Sequence, residues 1–223
     1  MVIEVFTDAS MRTFPNRRSF GCSGAISPQI NTSIYSIIPD CTNNQAELTA
    51  IYLGCRMIKN YRDKYDRDNK NAYYLYSDSQ FSIKGLTEWL PGWVRSSDSN
   101  GVYYGSSNKP VKNQNLFNMI AAFVINNNLC IRFRHQAGHI NYKNYTNLQK
   151  ANKKFYESNG YFLSPDSIYR ICYFNDLVDK TTRNKLQEVN DADFPILKLP
   201  NNGGVNMVRY VIPSNIKDYM NIK

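Results

Sequence analysis

The stretch TNNQAELTAIYLGCRMI, residues 42–58, predicts a capped helix and decides the class of fold. Its first four residues have the S/T-x-x-Q form of a capping box, in which the side chains of Thr42 and Gln45 satisfy backbone amides at the helix start. The apolar residues that follow recur at the spacing of one helical face: Leu48, Ile51, Cys55 and Ile58. We therefore expect a helix from Asn43 to about Tyr61.

Three strand-like runs precede this helix and two follow it. Residues 2–8, 20–27 and 33–38 are rich in β-branched and aromatic residues, and turn-prone residues separate them. Later runs at 72–77 and 129–134 alternate with helical patterns. The helical patterns lie at residues 79–86, 116–123 and 148–155. This order predicts an α/β fold with a five-stranded mixed sheet, its first three strands antiparallel, flanked by helices.

The composition indicates a packed globular protein. Of the 223 residues, 42% are hydrophobic and 13% aromatic, which is enough apolar surface to form a core. No run approaches the ~18 apolar residues of a membrane span, and the first residues lack the pattern of a signal peptide. The five cysteines form no C-x-x-C pair, so we expect reduced thiols. These features predict an intracellular, cytoplasmic protein that does not enter a membrane.

The net charge of +9 lies entirely in the first part of the chain. Residues 1–155 carry 19 Lys/Arg against 10 Asp/Glu, whereas residues 156–223 carry 8 of each. Such an excess is typical of proteins that bind a polyanion, nucleic acid above all. A basic surface without a partner explains the charge equally well.

Three carboxylates stand where strands or a helix begin or end. Asp8 ends the first strand, Asp78 ends the fourth, and Glu47 lies near the start of the first helix. In a mixed sheet these positions converge, and converging carboxylates repel one another unless a cation lies between them. Oxygen ligands of this kind favour Mg²⁺ or Mn²⁺, as in two-metal phosphoryl transfer. Taken singly, each residue is explained as a cap or a turn residue.

The sequence resembles type 1 ribonuclease H in its bacterial form. Six motifs in family order carry the resemblance: FTDAS at 6–10, TNNQAEL at 42–48, SDSQ at 77–80, EWLPGW at 88–93, KPVKN at 109–113 and AGH at 137–139. The resemblance implies the ribonuclease H fold and Mg²⁺-dependent hydrolysis of the RNA strand of RNA·DNA hybrids.

The resemblance also implies roles for particular residues. It makes Asp8, Glu47 and Asp78 catalytic metal ligands. The residues that match nucleic-acid contacts are Asn43, Asn44, Gln80, Trp89, Trp93 and Lys112. Trp89 and Trp93 match a pair lining the channel for the DNA strand, although simple packing explains them equally well.

Two family residues are replaced. The fourth aspartate belongs to a pattern N-x-x-x-D-x-L-A, and no carboxylate occurs between His139 and Glu157. Thr146 or Asn147 falls on that position, which predicts weaker binding of a second ion and reduced activity. The alternative is an inactive subunit of a larger assembly.

The loop histidine of the family is also displaced. Its position counts to Gln136, and His135, one residue away, is predicted to take the catalytic role.

The composition changes after residue 157. We predict a ribonuclease H-like domain at 1–157 and an extension at 158–223. The extension is neutral and interrupted by prolines, which favours a docking element for a protein partner over a second nucleic-acid module.

Overall fold

The computed structural model describes residues 1–14 and 19–190 and contains one five-stranded sheet. The strands are β1 (Val2–Thr13), β2 (Ser19–Ser27), β3 (Thr32–Pro39), β4 (Ala72–Ser77) and β5 (Ile131–His135). Their order is β3-β2-β1-β4-β5. β1, β2 and β3 pair antiparallel, and β4 and β5 run parallel to β1. The predicted mixed sheet with an antiparallel first part is confirmed.

Six α-helices surround the sheet in the described residues: α1 (Asn43–Tyr65), α2 (Gln80–Lys84), α3 (Leu90–Arg95), α4 (Gln114–Asn126), α5 (Tyr145–Asn159) and α6 (Pro165–Gln187). A π-helical turn at Gly85–Trp89 joins α2 to α3. The predicted capping box forms at the start of α1, where the Thr42 amide donates to Gln45 Oε1 at 2.8 Å. No helix among the described residues is long and apolar enough to cross a membrane. All five cysteines are free thiols.

One face of the sheet packs against α1 and α4. The buried residues of this core include Val5 and Leu75 from the strands, Leu48 and Ile58 from α1, and Phe117 from α4. The periodic apolar residues of 42–58 therefore face the sheet, as their spacing indicates. This packing fixes the start of α1 near the middle of β1 and the end of β4.

The other face packs against α6, with α5 beside it. The apolar residues that α6 contributes are Ile168, Ile171, Cys172 and Val178, and they pack with Phe6 and Tyr76 of the sheet and Phe155 of α5. At Gly24 of β2 the helix approaches so closely that an added Cβ would lie 2.7 Å from Thr182 Cγ2.

Polar contacts align α6 with β1. Ser10 and Thr182 share a buried hydrogen bond of 2.7 Å, and Arg12 donates to the Leu186 carbonyl at 3.1 Å. Near the other end, Arg170 pairs with the buried Glu4 at 3.0 Å. α6 therefore runs beside β1 over most of its length.

The described structure does not divide after residue 157. α6 forms the second helical layer of the same domain, because a mixed sheet must cover both of its faces. Balanced charge and flanking prolines are equally compatible with an appendage, so they do not reveal this packing. Residues 191–223, the rest of the predicted docking element, lie outside the described residues.

Candidate active site

The structure brings the three predicted carboxylates together. Asp8 lies one residue beyond the last β1–β4 pair, Thr7 with Ser77, and Asp78 follows β4 directly. Glu47 reaches the same point from the start of α1. One ligand oxygen from each carboxylate lies within 4.8 Å of the others. A single cation could contact all three.

A fourth carboxylate faces the same pocket. The pocket has a volume of about 420 Å³, and Asp179 of α6 lines it together with Asp8, Glu47 and Asp78. The negative charge of Asp179 also raises the pKa of each of the other three carboxyls. Asp179 is thus a candidate for the acidic residue that is missing near residue 146, and Arg183 donates to both of its carboxylate oxygens.

This finding corrects the predicted replacement by Thr146 or Asn147. Both residues lie in the first turn of α5, and neither lines the pocket. α5 lies between β5 and α6, and its apolar pattern resembles that of a final helix. A sequence signal for Asp179 is the pattern Asn175-x-x-x-Asp179, which repeats the N-x-x-x-D part of the family pattern.

The electrostatics of the pocket favour a bound cation. Asp8 and Glu47 are buried, and Asp8 Oδ2 and Glu47 Oε2 have no hydrogen-bond partner among the described residues. Burial raises the pKa of Asp8 to about 8, and the charges of Asp78 and Asp179 add to this effect. Burial and the charges of Asp8, Asp78 and Asp179 raise the pKa of Glu47 well above its usual range. Unpartnered buried carboxylate oxygens of this kind fit a hard divalent ion.

The raised pKa of Asp8 predicts an unusual pH dependence of stability without divalent ions. A carboxyl whose folded pKa rises from 3.8 to about 8 stabilises the fold fully below about pH 3.8, and this contribution is lost as the pH rises through about 8. We expect the melting temperature of metal-free protein to fall between about pH 5 and pH 8. Added Mn²⁺ should raise it most at the upper end, because ligands bind metal when deprotonated.

Thermal melts with and without EDTA across this pH range would measure the effect. The matched control is Asp8→Asn, which keeps the shape of the side chain but does not titrate. An equally steep decline in Asp8→Asn would assign the pH dependence to other groups.

Buried amides hold Asp78 in place. Gln136 Nε2 donates to Asn175 Oδ1 at 2.5 Å, and Asn175 Nδ2 donates to Asp78 Oδ2 at 3.4 Å. On the other side, a Cβ added at Gly138 would lie 2.9 Å from Asp78 Cγ. The AGH motif therefore needs glycine here because Asp78 packs directly against the backbone.

The histidine at the pocket is His139, and not the predicted His135. His135 ends β5, and its Nδ1 lies 2.8 Å from Ser158 Oγ. His139 lines the pocket, is 71% exposed, and has its Nδ1 3.5 Å from Asp179 Oδ2. Gln136, at the family position, is buried in the amide network described above. The sequence places His139 in a motif without indicating that it reaches the carboxylates.

The predicted nucleic-acid contacts are largely exposed. Asn43 lines the pocket, and Asn44, Gln80 and Lys112 are exposed.

The two predicted tryptophans differ in their surroundings. Trp89 is 37% exposed and lies 5.9 Å from Trp93 between ring centroids. Trp93 is half-buried and packs edge-on against Phe117 at 5.3 Å. Trp89 is thus accessible to a ligand, whereas Trp93 also packs against the core.

Comparisons with known proteins agree with the fold. The RNase H family model matches residues 1–154, which end before α6. Ribonuclease H of Bordetella avium is 28% identical over 138 residues, covering 62% of this chain and 79% of the relative. Ribonuclease H of Halorhodospira halophila is 32% identical over 116 residues, covering 52% and 68%. The solution structure of the PFV RNase H domain gives a TM-score of 0.51 at 18% identity, covering 84% of this chain and 96% of that domain, and supports the fold.

Proposed function

The chain belongs to the ribonuclease H family, and on this basis we propose that it is a divalent-metal-dependent endoribonuclease that hydrolyses the RNA strand of RNA·DNA hybrids. The observation that carries the proposal is the pocket in which four carboxylates converge, two of them with buried, unpartnered oxygens. Relatives that share the sequence pattern are ribonucleases H.

The four carboxylates would hold the metal. Asp8, Glu47, Asp78 and Asp179 offer only oxygen ligands, which suit Mg²⁺ or Mn²⁺. Ions bound here would supply the activation of a water nucleophile and the stabilisation of the leaving oxygen. The amides of Gln136 and Asn175 keep Asp78 turned toward the pocket.

Residues around the pocket would select and orient the hybrid. Asn43 presents its amide at the pocket, and Asn44 and Gln80 present exposed amides close to Asn43 and Asp78 in the sequence. The 2′-hydroxyl that such groups can bind in a minor groove distinguishes RNA from DNA. Trp89 offers an exposed ring to the opposite strand. These contacts would place the RNA strand, and not the DNA strand, over the carboxylates.

His139 is the chain's own candidate for proton transfer. Its Nδ1 faces Asp179 Oδ2, so its Nε2 is the ring atom available to substrate. An exposed imidazole on the rim can hold a proton near the leaving oxygen and release it to solvent.

The structure weakens the argument for an inactive subunit. That alternative depends chiefly on the absence of a fourth carboxylate, and Asp179 lies at the pocket. The same residue supports an activity that does not depend on a carboxylate near residue 146.

A cleavage assay would test the proposal. We expect the full chain to cleave the RNA strand of an end-labelled hybrid in Mg²⁺ or Mn²⁺, and to leave duplex DNA of the same sequence intact because it lacks the 2′-hydroxyl. Cleavage should stop in EDTA. An intact hybrid in both metals would reject the proposed activity.

A further inference from the structure

A second groove opens beside the carboxylate pocket. It has a volume of about 450 Å³ and lies between the loop after Gly138 and the outer side of α6. His139 and Asp179 line both the groove and the pocket. The two cavities therefore adjoin at these side chains.

Cationic side chains line this groove. Lys180 pairs with Asp176 at 2.6 Å and Arg183 pairs with Asp179, and both cations remain more than half exposed. Lys143 also lines the groove and forms no ion pair with any residue that the structure describes. These ion pairs hold Lys180 and Arg183 at the α6 side of the groove. Lys143 adds a positive charge that no carboxylate among the described residues balances.

Aromatic rings continue from the groove along α6. Tyr142 lies edge-on to Tyr169 and Tyr173, with ring centroids 5.5 and 5.6 Å away. Tyr169 and Tyr173 are one helical turn apart and are 45% and 38% exposed. Tyr169 precedes Asp179 by ten residues, which corresponds to ~15 Å along the helix. Exposed rings beside cations are the combination that binds single strands, with ring against base and cation against phosphate.

The charge of this region favours nucleic acid over a protein as the occupant. The charged residues that line the groove are three cations, Lys143, Lys180 and Arg183, and two aspartates, Asp176 and Asp179. By contrast, the loop that follows α3 is poor in basic residues, with none between Arg95 and Lys109. Positive charge continuous with a nuclease pocket is complementary to a phosphate backbone.

We propose that the α6 track, formed by Tyr142, Lys143, Tyr169, Tyr173, Lys180 and Arg183, binds a single-stranded flank of the hybrid. Phosphates lie along the three cations, and bases stack on the tyrosines. The bound form is a single strand, because only unpaired, unstacked bases are free to stack on the exposed Tyr169 and Tyr173. The proposal rests on the proposed function for its class of substrate.

Binding measurements on the full chain would test the track. Fluorescence anisotropy in EDTA would compare a blunt hybrid with hybrids that carry an RNA or a DNA overhang of about eight nucleotides. We expect an overhang to tighten binding by about tenfold, the effect of stacking one or two bases. Tighter binding of either the RNA overhang or the DNA overhang than of the blunt hybrid supports the track, and the overhang that binds more tightly identifies the strand.

Matched variants separate the track from general charge and aromaticity. Tyr169→Ala/Tyr173→Ala should bring the ratio of blunt to overhang affinities close to one. Tyr156→Ala, which removes another exposed tyrosine, on α5, should keep the wild-type ratio. Lys143→Ala should reduce the salt dependence of overhang binding by about one phosphate contact, whereas the exposed Lys153→Ala on α5 should not.

The Lys143→Ala variant still tests the track if the double tyrosine variant fails to fold. The Lys143 side chain is exposed and unpaired among the described residues, so its removal should not disturb folding. Equal affinities of wild-type protein for blunt and overhanging hybrids would overturn the proposal, as would equal losses in the control variants. Overhang preference without cleavage would reject only the hydrolysis. Cleavage without overhang preference would reject only the track.

Discussion

Asp179→Asn is expected to reduce cleavage of the hybrid in Mg²⁺ by at least about a hundredfold, since a catalytic ion is worth several kcal/mol of transition-state stabilisation. Asp179 borders the pocket from α6 opposite the strands that carry Asp8 and Asp78. The substitution keeps the shape of the side chain but removes its charge. Asp78→Asn should have an equal or larger effect, because Asp78 is held directly by the amide network.

Two variants on α5 are the controls for this experiment. Thr146→Asp and Asn147→Asp add a carboxylate where the sequence pattern predicts one, and we expect neither to change the rate. Single-turnover cleavage with protein in excess would measure all four variants, and thermal melts would verify folding. A rate gain in either α5 variant, with no loss in Asp179→Asn, would show that the fourth metal ligand belongs on α5 and not on α6.

Truncation after Gly160 is expected to abolish the cooperative unfolding transition. It removes α6, whose side chains cover Phe6, Tyr76 and Phe155. At about 1.5–3 kcal/mol for each large apolar side chain, the lost burial is on the order of 10 kcal/mol. This is comparable with the whole stability of a typical domain, about 5–15 kcal/mol. Asp179 is lost at the same time, so cleavage should disappear as well.

A second truncation, after Asn190, is the matched control because it keeps every described residue of α6. Circular dichroism during thermal melting would compare the two with the full chain. A cooperative transition in the shorter protein, close to that of the full chain, would show that α6 is a separable appendage.

Local sequence patterns are sufficient to predict the sheet and one side of the pocket. The capping box at Thr42 and the position of Asp78 directly after β4 depend on neighbouring residues, whose spacing fixes hydrogen bonding and the facing of side chains. The sequence also predicts that Asp8 ends the first strand, which is wrong, because β1 continues to Thr13 through its pairing with β2. Parallel pairing then brings the end of β4 beside the middle of β1, where Asp8 lies. For this reason the convergence of Asp8, Glu47 and Asp78 follows from local motifs and strand order alone.

The π-helical turn at Gly85–Trp89 is a feature that local sequence patterns do not predict. Residues 79–86 predict only a short helix, whereas the helical segment continues through the turn to Arg95. Gly85 packs against the ring of Phe117, a contact with α4 that is remote in sequence. The exposure of Trp89 follows from that packing.

The sequence by itself determined the family, the mixed sheet and three of the four carboxylates, because each of these depends on residues that are close together in the sequence. Only the tertiary structure decided which of two successive helices, α5 or α6, covers the sheet and supplies Asp179, and which histidine reaches it. Both helices have apolar stripes, so periodicity cannot distinguish them. The choice depends on contacts between residues more than 150 positions apart, such as Ser10 with Thr182, and these form only when the whole chain packs.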